Sequence, residues 1–117
     1  MSERPVRAVL EEDGGLLRLV LARPKGNVLD RAMIDALRAE VRDADPATRS
    51  ILIEGEGRHF SFGASVEEHR ADLVGDMLPA FHALFRDLLG AGKVLLAAVR
   101  GQCLGGGLEL AAACHRV

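Results

Sequence analysis

Residues 101–110, GQCLGGGLEL, set three consecutive glycines, Gly105 to Gly107, before an apolar run that holds one carboxylate, Glu109. Glycine has no Cβ, so a substrate can approach the main chain closely there. The first N–H groups of a helix have no partner within the helix and carry the positive end of its dipole. Such a segment is suited to holding a developing anion. Each donor aimed at an oxyanion contributes roughly 3 kcal/mol where water is excluded. Glu109 follows Gly105 by four residues, so on a helix both share a face and the side chain leans back toward those donors. A Glu at a helix start is ordinarily a solvated or capping residue. Here Leu108, Leu110 and Ala111 to Ala113 are apolar; they point to a covered helix, in which an acid needs a partner or a task.

A second glycine-containing loop, GEGRHFSFGASVEEH at 55–69, precedes this one in the chain. Both follow short apolar segments that read as strands, one within SILIEGEG from Ser50 to Gly57 and the other VLLAAV from Val94 to Val99, and ligands collect at the carboxyl ends of strands in an α/β sheet. Two such loops facing each other would present backbone N–H groups to one oxygen. The elements that must position them begin with a hairpin: Val6 to Glu11 and Leu16 to Leu21 flank the turn EDGG, whose glycines allow a positive φ. Met33, Ile34, Leu37 and Val41 then recur at helical spacing behind Asp30, an N-cap candidate. Met77, Leu78, Phe81, Leu84, Phe85, Leu88 and Leu89 form the apolar face of a longer helix closed by Gly90. The unbroken apolar run of Val94 to Val99 predicts a strand covered on both faces. Strand and helix alternate after the hairpin, an α/β pattern.

The chain has 117 residues, 49% of them hydrophobic and 27% charged, which fits one globular domain. A formal net charge of -2 with interspersed signs offers no basic stripe and argues against a nucleic-acid partner. Cys103 and Cys114 suit a reduced setting. MSERPVRAVLEEDG has no apolar core of a signal peptide, and no run is long enough to cross a membrane. The expectation is a soluble, cytoplasmic protein without a membrane partner.

Other chemistries fit less well. Cys103 with His115 as base would make a nucleophile, but a Cys in such a loop is more often a small packing residue. His59, His69, His82 and His115 lack metal-ligand spacing, so no metal is expected. Ser61 and Ser65 lack the GxSxG elbow of a serine hydrolase. Gly105 and Gly107 suggest a dinucleotide loop, yet the third small residue is absent. No Gly-Lys-Ser/Thr is present for a P-loop. A non-enzymatic interaction module or inactive fragment would leave apolar strand and helix faces uncovered.

HFSFGASVEEH and AAVRGQCLGGGLELAAAC together resemble the two signature segments of the enoyl-CoA hydratase/isomerase, or crotonase, family, and ARPKGNVLD is similar to its usual start. The resemblance implies the N-terminal portion of a crotonase-like α/β spiral of ββα units. Residues 1–117 would then be an acyl-CoA-binding domain cut short before the family's second catalytic glutamate. It also implies an oxyanion hole formed by the main-chain N–H groups of Ala64 and Gly106, with Glu109 as the first catalytic glutamate. Lys25, Asn27 and Val28, and then Ala64, Ser65, Val66 and Glu67 with Gly105 and Gly106, match segments that line the CoA and substrate site. The implied substrate is an acyl-CoA thioester, with coenzyme A part of the substrate and no separate cofactor; full-length members imply a homotrimer or homohexamer. Many members carry an Asp where Ser65 stands. The wording around it is most similar to the cyclohexa-1,5-dienecarbonyl-CoA hydratases of benzoyl-CoA degradation, with a generic enoyl-CoA hydratase/isomerase of fatty-acid oxidation as the alternative.

Overall fold

A computed structural model describes residues 5–23, 26–61, 74–103, 106–112 and 114. The hairpin strands are β1 (Val6–Glu11) and β2 (Leu16–Leu21), followed by α1 (Arg31–Arg42), β3 (Ser50–Gly55), α2 (Val74–Leu89), β4 (Val94–Ala98) and α3 (Gly106–Ala112). The strands form one sheet in the order β1-β2-β3-β4. β1 is antiparallel to β2, and β2, β3 and β4 are mutually parallel. Their carboxyl ends therefore open at one end of the sheet.

Alternation along the strands decides which face is covered. Leu17, Leu19 and Leu21 of β2, Ile51 and Ile53 of β3, and Leu95 and Ala97 of β4 are buried in one core with Met33, Ile34, Leu37 and Val41 of α1. Phe81, Leu84 and Leu88 of α2 complete that core, and Phe81 and Phe85 stack tilted with centroids 5.0 Å apart. Arg38 of α1 donates to Asp87 of α2 at 2.7 Å, fastening the two helices beside the core. On the other face Arg18 donates to both Glu11 (3.3 Å) and Glu54 (3.2 Å), linking three strands. These partners, the Glu54 hydrogen bond first, hold the Arg18 guanidinium still more firmly protonated than usual.

The helix start at Asp30 forms as the sequence predicts. Asp30 is extended, and its Oδ1 accepts from the Met33 N–H at 2.8 Å while its Oδ2 accepts from Arg23 at 2.9 Å. Three expectations change. In the hairpin turn the positive φ angles fall on Glu12, Asp13 and Gly14, not on Gly15, so two acidic residues take the left-handed conformation. Leu89 is exposed, because α2 ends there and only Phe85, four residues earlier on the same flank, finds Phe81 to pack on. β4 is not covered on both faces among the described residues: Leu95 and Ala97 are buried, whereas Val94 and Ala98 are exposed.

Replacing Asp30 by Ala removes the cap and the Arg23 contact together. Its expected cost is about 1–2 kcal/mol of unfolding free energy, read from urea denaturation by circular dichroism. Asp35→Ala, at the exposed Arg31–Asp35 pair, is expected to change stability by less than about 0.5 kcal/mol in the same assay.

Candidate active site

Three loops leave the carboxyl end of the sheet, beginning at Ala22, Glu56 and Val99. Asn27 fastens the first to the second. It is 2% exposed and sits at φ +49, a left-handed conformation that Asn tolerates better than most side chains. Its Nδ2 lies 3.1 Å from the carbonyls of both His59 and Phe60 and 3.3 Å from that of Glu56. Oδ1 accepts from the Arg23 N–H at 2.9 Å, and the Asn27 N–H donates to the Arg23 carbonyl at 3.1 Å. The Ser61 hydroxyl donates to the Asn27 carbonyl at 2.8 Å.

The second loop is in turn fastened to the third. Phe60 N–H donates to the Arg100 carbonyl at 2.8 Å, Ser61 N–H donates to the Gln102 carbonyl at 3.2 Å, and Ser61 forms a parallel bridge with Cys103. Gln102 N–H donates to His59 Nδ1 at 2.9 Å. Glycine permits this approach. A Cβ on Gly101, which has φ +65, would strike the Arg58 carbonyl.

α3 starts directly beyond this contact. Gly107 lies against Ser61 so closely that a Cβ would sit 2.8 Å from both the Ser61 Cβ and its carbonyl oxygen. The sequence assigns the glycines to close substrate approach. At Gly107 the approaching group is instead Ser61 of the same chain. Leu110, Ala111 and Cys114 are buried and anchor the rest of the α3 segment in the core. The N-terminus of α3 is thereby seated beside Ser61.

Of the residues singled out from sequence, Gly106 opens α3 and Glu109 is its fourth residue, the Glu109 side chain lying outside the described part. Asn27 and the half-buried Val28 stand at the loop junction. Lys25, Ala64, Ser65, Val66, Glu67 and Gly105 lie outside the described residues, as do His69 and His115. The polar groups of Asn27 are committed to its own chain. Its latch role, and those of Ser61, His59 and Gln102, are not visible in the sequence, because each depends on main-chain groups from distant segments.

The thiols do not favour covalent chemistry. Burial pushes the Cys103 thiol up from its ordinary value and the Cys114 thiol up to about 11, the opposite of what activates a nucleophile. Ser61 is fully buried, with its hydroxyl hydrogen engaged by the Asn27 carbonyl. A groove of about 490 Å³ lined by Val41, Arg42, Arg86 and Lys93 lies at the opposite end, near the amino ends of β3 and β4. There Lys93 is occupied by the Asp45 carbonyl at 3.0 Å, and Asp87 by Arg38.

The family model for enoyl-CoA hydratase/isomerase matches residues 11–117. The chain belongs to that family. This enoyl-CoA hydratase/isomerase family chain is 53% identical over 111 residues to the cyclohexa-1,5-dienecarbonyl-CoA hydratase of Thauera aromatica, covering 93% of the chain and 43% of the relative. Among solved structures, an enoyl-CoA hydratase/isomerase family protein from Silicibacter pomeroyi matches with a TM-score of 0.84 and 36% identity, over 94% of this chain and 49% of that one. Pseudomonas aeruginosa DspI matches with a TM-score of 0.87 and 26% identity, over 99% of this chain and 46% of that one. The fold is the N-terminal portion of the crotonase fold, and the chain spans less than half the length of these relatives. No helix among the described residues is long and apolar enough to cross a membrane.

Gly107→Ala is expected to lower stability by about 1–3 kcal/mol, because the new methyl meets main chain as well as side chain and neither can yield cheaply. A thermal melt checks this; an unchanged melting temperature would show that α3 can shift away from Ser61.

Proposed function

We propose that this chain supplies the oxyanion-binding half of an acyl-CoA hydratase that adds water to a double bond conjugated with a CoA thioester, with cyclohexa-1,5-diene-1-carbonyl-CoA as the preferred substrate. The observation that carries the reading is the pairing of residues 58–61 with 100–103, continued by Gly107 against Ser61. It holds the entry to the first glycine loop beside the N-terminus of α3, as two donors serving one oxygen require.

The Ala64 and Gly106 N–H groups are the donors to the thioester oxygen, and Glu109 takes a proton from the attacking water. The water oxygen bonds to the β-carbon, the double-bond pair shifts toward the carbonyl carbon as the carbonyl π pair moves onto the thioester oxygen, and the enolate then takes at carbon the proton held by Glu109, which restores the carboxylate. Both donors gain strength as negative charge develops, so they stabilise the transition state more than the bound substrate. Backbone groups of Lys25 and Val28 and of Ser65 to Glu67 line the CoA moiety, with Asn27 holding that loop in place, and the working enzyme is a trimer or hexamer in the cytoplasm. The 53% identity to the Thauera hydratase supports the dienoyl substrate over a fatty-acid enoyl-CoA.

The test is hydration of cyclohexa-1,5-diene-1-carbonyl-CoA and of crotonyl-CoA by the 117-residue chain, alone and fused to the C-terminal remainder of the Thauera enzyme. The fusion is expected to prefer the diene. Preference for crotonyl-CoA would overturn the substrate assignment, and hydration of neither would overturn the activity. In an active fusion, Glu109→Gln is expected to lower kcat by about 100-fold or more with substrate binding retained; full activity of that variant would remove Glu109 from the chemistry.

A further inference from the structure

We infer that His59 is a positioning residue for the second glycine loop: its imidazole substitutes for a missing main-chain acceptor and pins Gln102, and through it the chain that runs into Gly106. The inference rests on the oxyanion reading of Gly106 given above. It starts from the register of the bridge. Ser61 pairs with Cys103 in parallel, and Ser61 N–H donates to the Gln102 carbonyl as a parallel ladder demands. Continued two residues back, that ladder would give the Gln102 N–H to the carbonyl of His59.

That carbonyl is turned elsewhere, accepting from Asn27 Nδ2 at 3.1 Å. The Gln102 N–H is taken up by Nδ1 of the same His59 at 2.9 Å. A ring nitrogen accepts only when it carries no proton, so Nδ1 is the acceptor in this contact. The position opposite is fitted to the ring. Gly101 is at φ +65, and a Cβ there would lie 2.6 Å from Nδ1. The Gln102 residue is thus held on both sides, at its N–H by the imidazole and at its carbonyl by Phe60 and Ser61. This arrangement lets one residue serve two loops: the His59 carbonyl belongs to the Asn27 latch and its side chain to the oxyanion segment.

Gln102 is exposed, so water can replace the imidazole and a substituted protein still folds. What is lost is alignment. H59L removes the acceptor, whereas H59N keeps one, its Oδ1 reaching the place of Nδ1. Amide hydrogen exchange of Gln102, followed by NMR in the 117-residue chain, is expected to quicken about fivefold in H59L and to stay near the parent rate in H59N. In the active fusion, H59L is expected to lower kcat about fivefold with KM within about twofold, and H59N to restore most of kcat. Equal Gln102 exchange in all three proteins would overturn the inference, and so would faster exchange in H59L with kcat unchanged. An unsubstituted fusion with no hydratase activity would count against the hydratase reading alone; the exchange rates would then decide the role of His59.

Discussion

A buried carboxamide that must find a partner for every polar atom organises the working end of this chain. Asn27 has almost no contact with solvent, and it satisfies its amide by drawing in carbonyls from Glu56, His59 and Phe60. An unpaired polar group at that depth costs about 1–3 kcal/mol, so loop conformations that break these contacts are strongly disfavoured. The left-handed φ of Asn27 places its own carbonyl where the Ser61 hydroxyl can reach it. One residue thereby couples the loop after β2 to the loop after β3.

From Ser61 the constraint passes to the third loop by main-chain contact. Close approach is possible because Gly101 and Gly107 lack a Cβ where other segments press in. Hydrogen bonds between backbones have few degrees of freedom once the chains touch, so the pairing of residues 58–61 with 100–103 is set by the fold itself. The α3 segment contributes by burial: Leu110 and Ala111 hold its body in the core, leaving its first turn at the loop junction.

The sheet separates these tasks in space. Its covered face supplies the apolar core against α1 and α2, and the carboxyl ends of its parallel strands deliver all three loops to one place. At the groove of the other end, Lys93 and Asp87 are engaged in holding loop and helix ends.

Local rules already carried much of this. The hairpin strands, the Asp30 cap, the apolar stripe of α1, the strand–glycine-loop pattern and the family motifs all depend on neighbours within a few residues, and they are legible for that reason. Exposure of Leu89 and of one face of β4 was not legible, because it depends on what other elements happen to cover. Nor was the left-handed turn at Glu12 and Asp13, where the hairpin's closure overrides residue preference. The motif residues from Ala64 to Glu67 and the Glu109 carboxylate rest on sequence resemblance, since they lie outside the described part of the structure. By itself the sequence determined the elements, their order, the family and the identity of the chemical groups. Only the tertiary structure decided that Asn27 is a latch, that Gly107 makes room for Ser61, and that the His59 imidazole meets Gln102. The Asn27–Phe60, Asn27–Ser61 and His59–Gln102 contacts each join residues more than 30 positions apart, and no local preference encodes which main-chain groups a folded sheet will bring together.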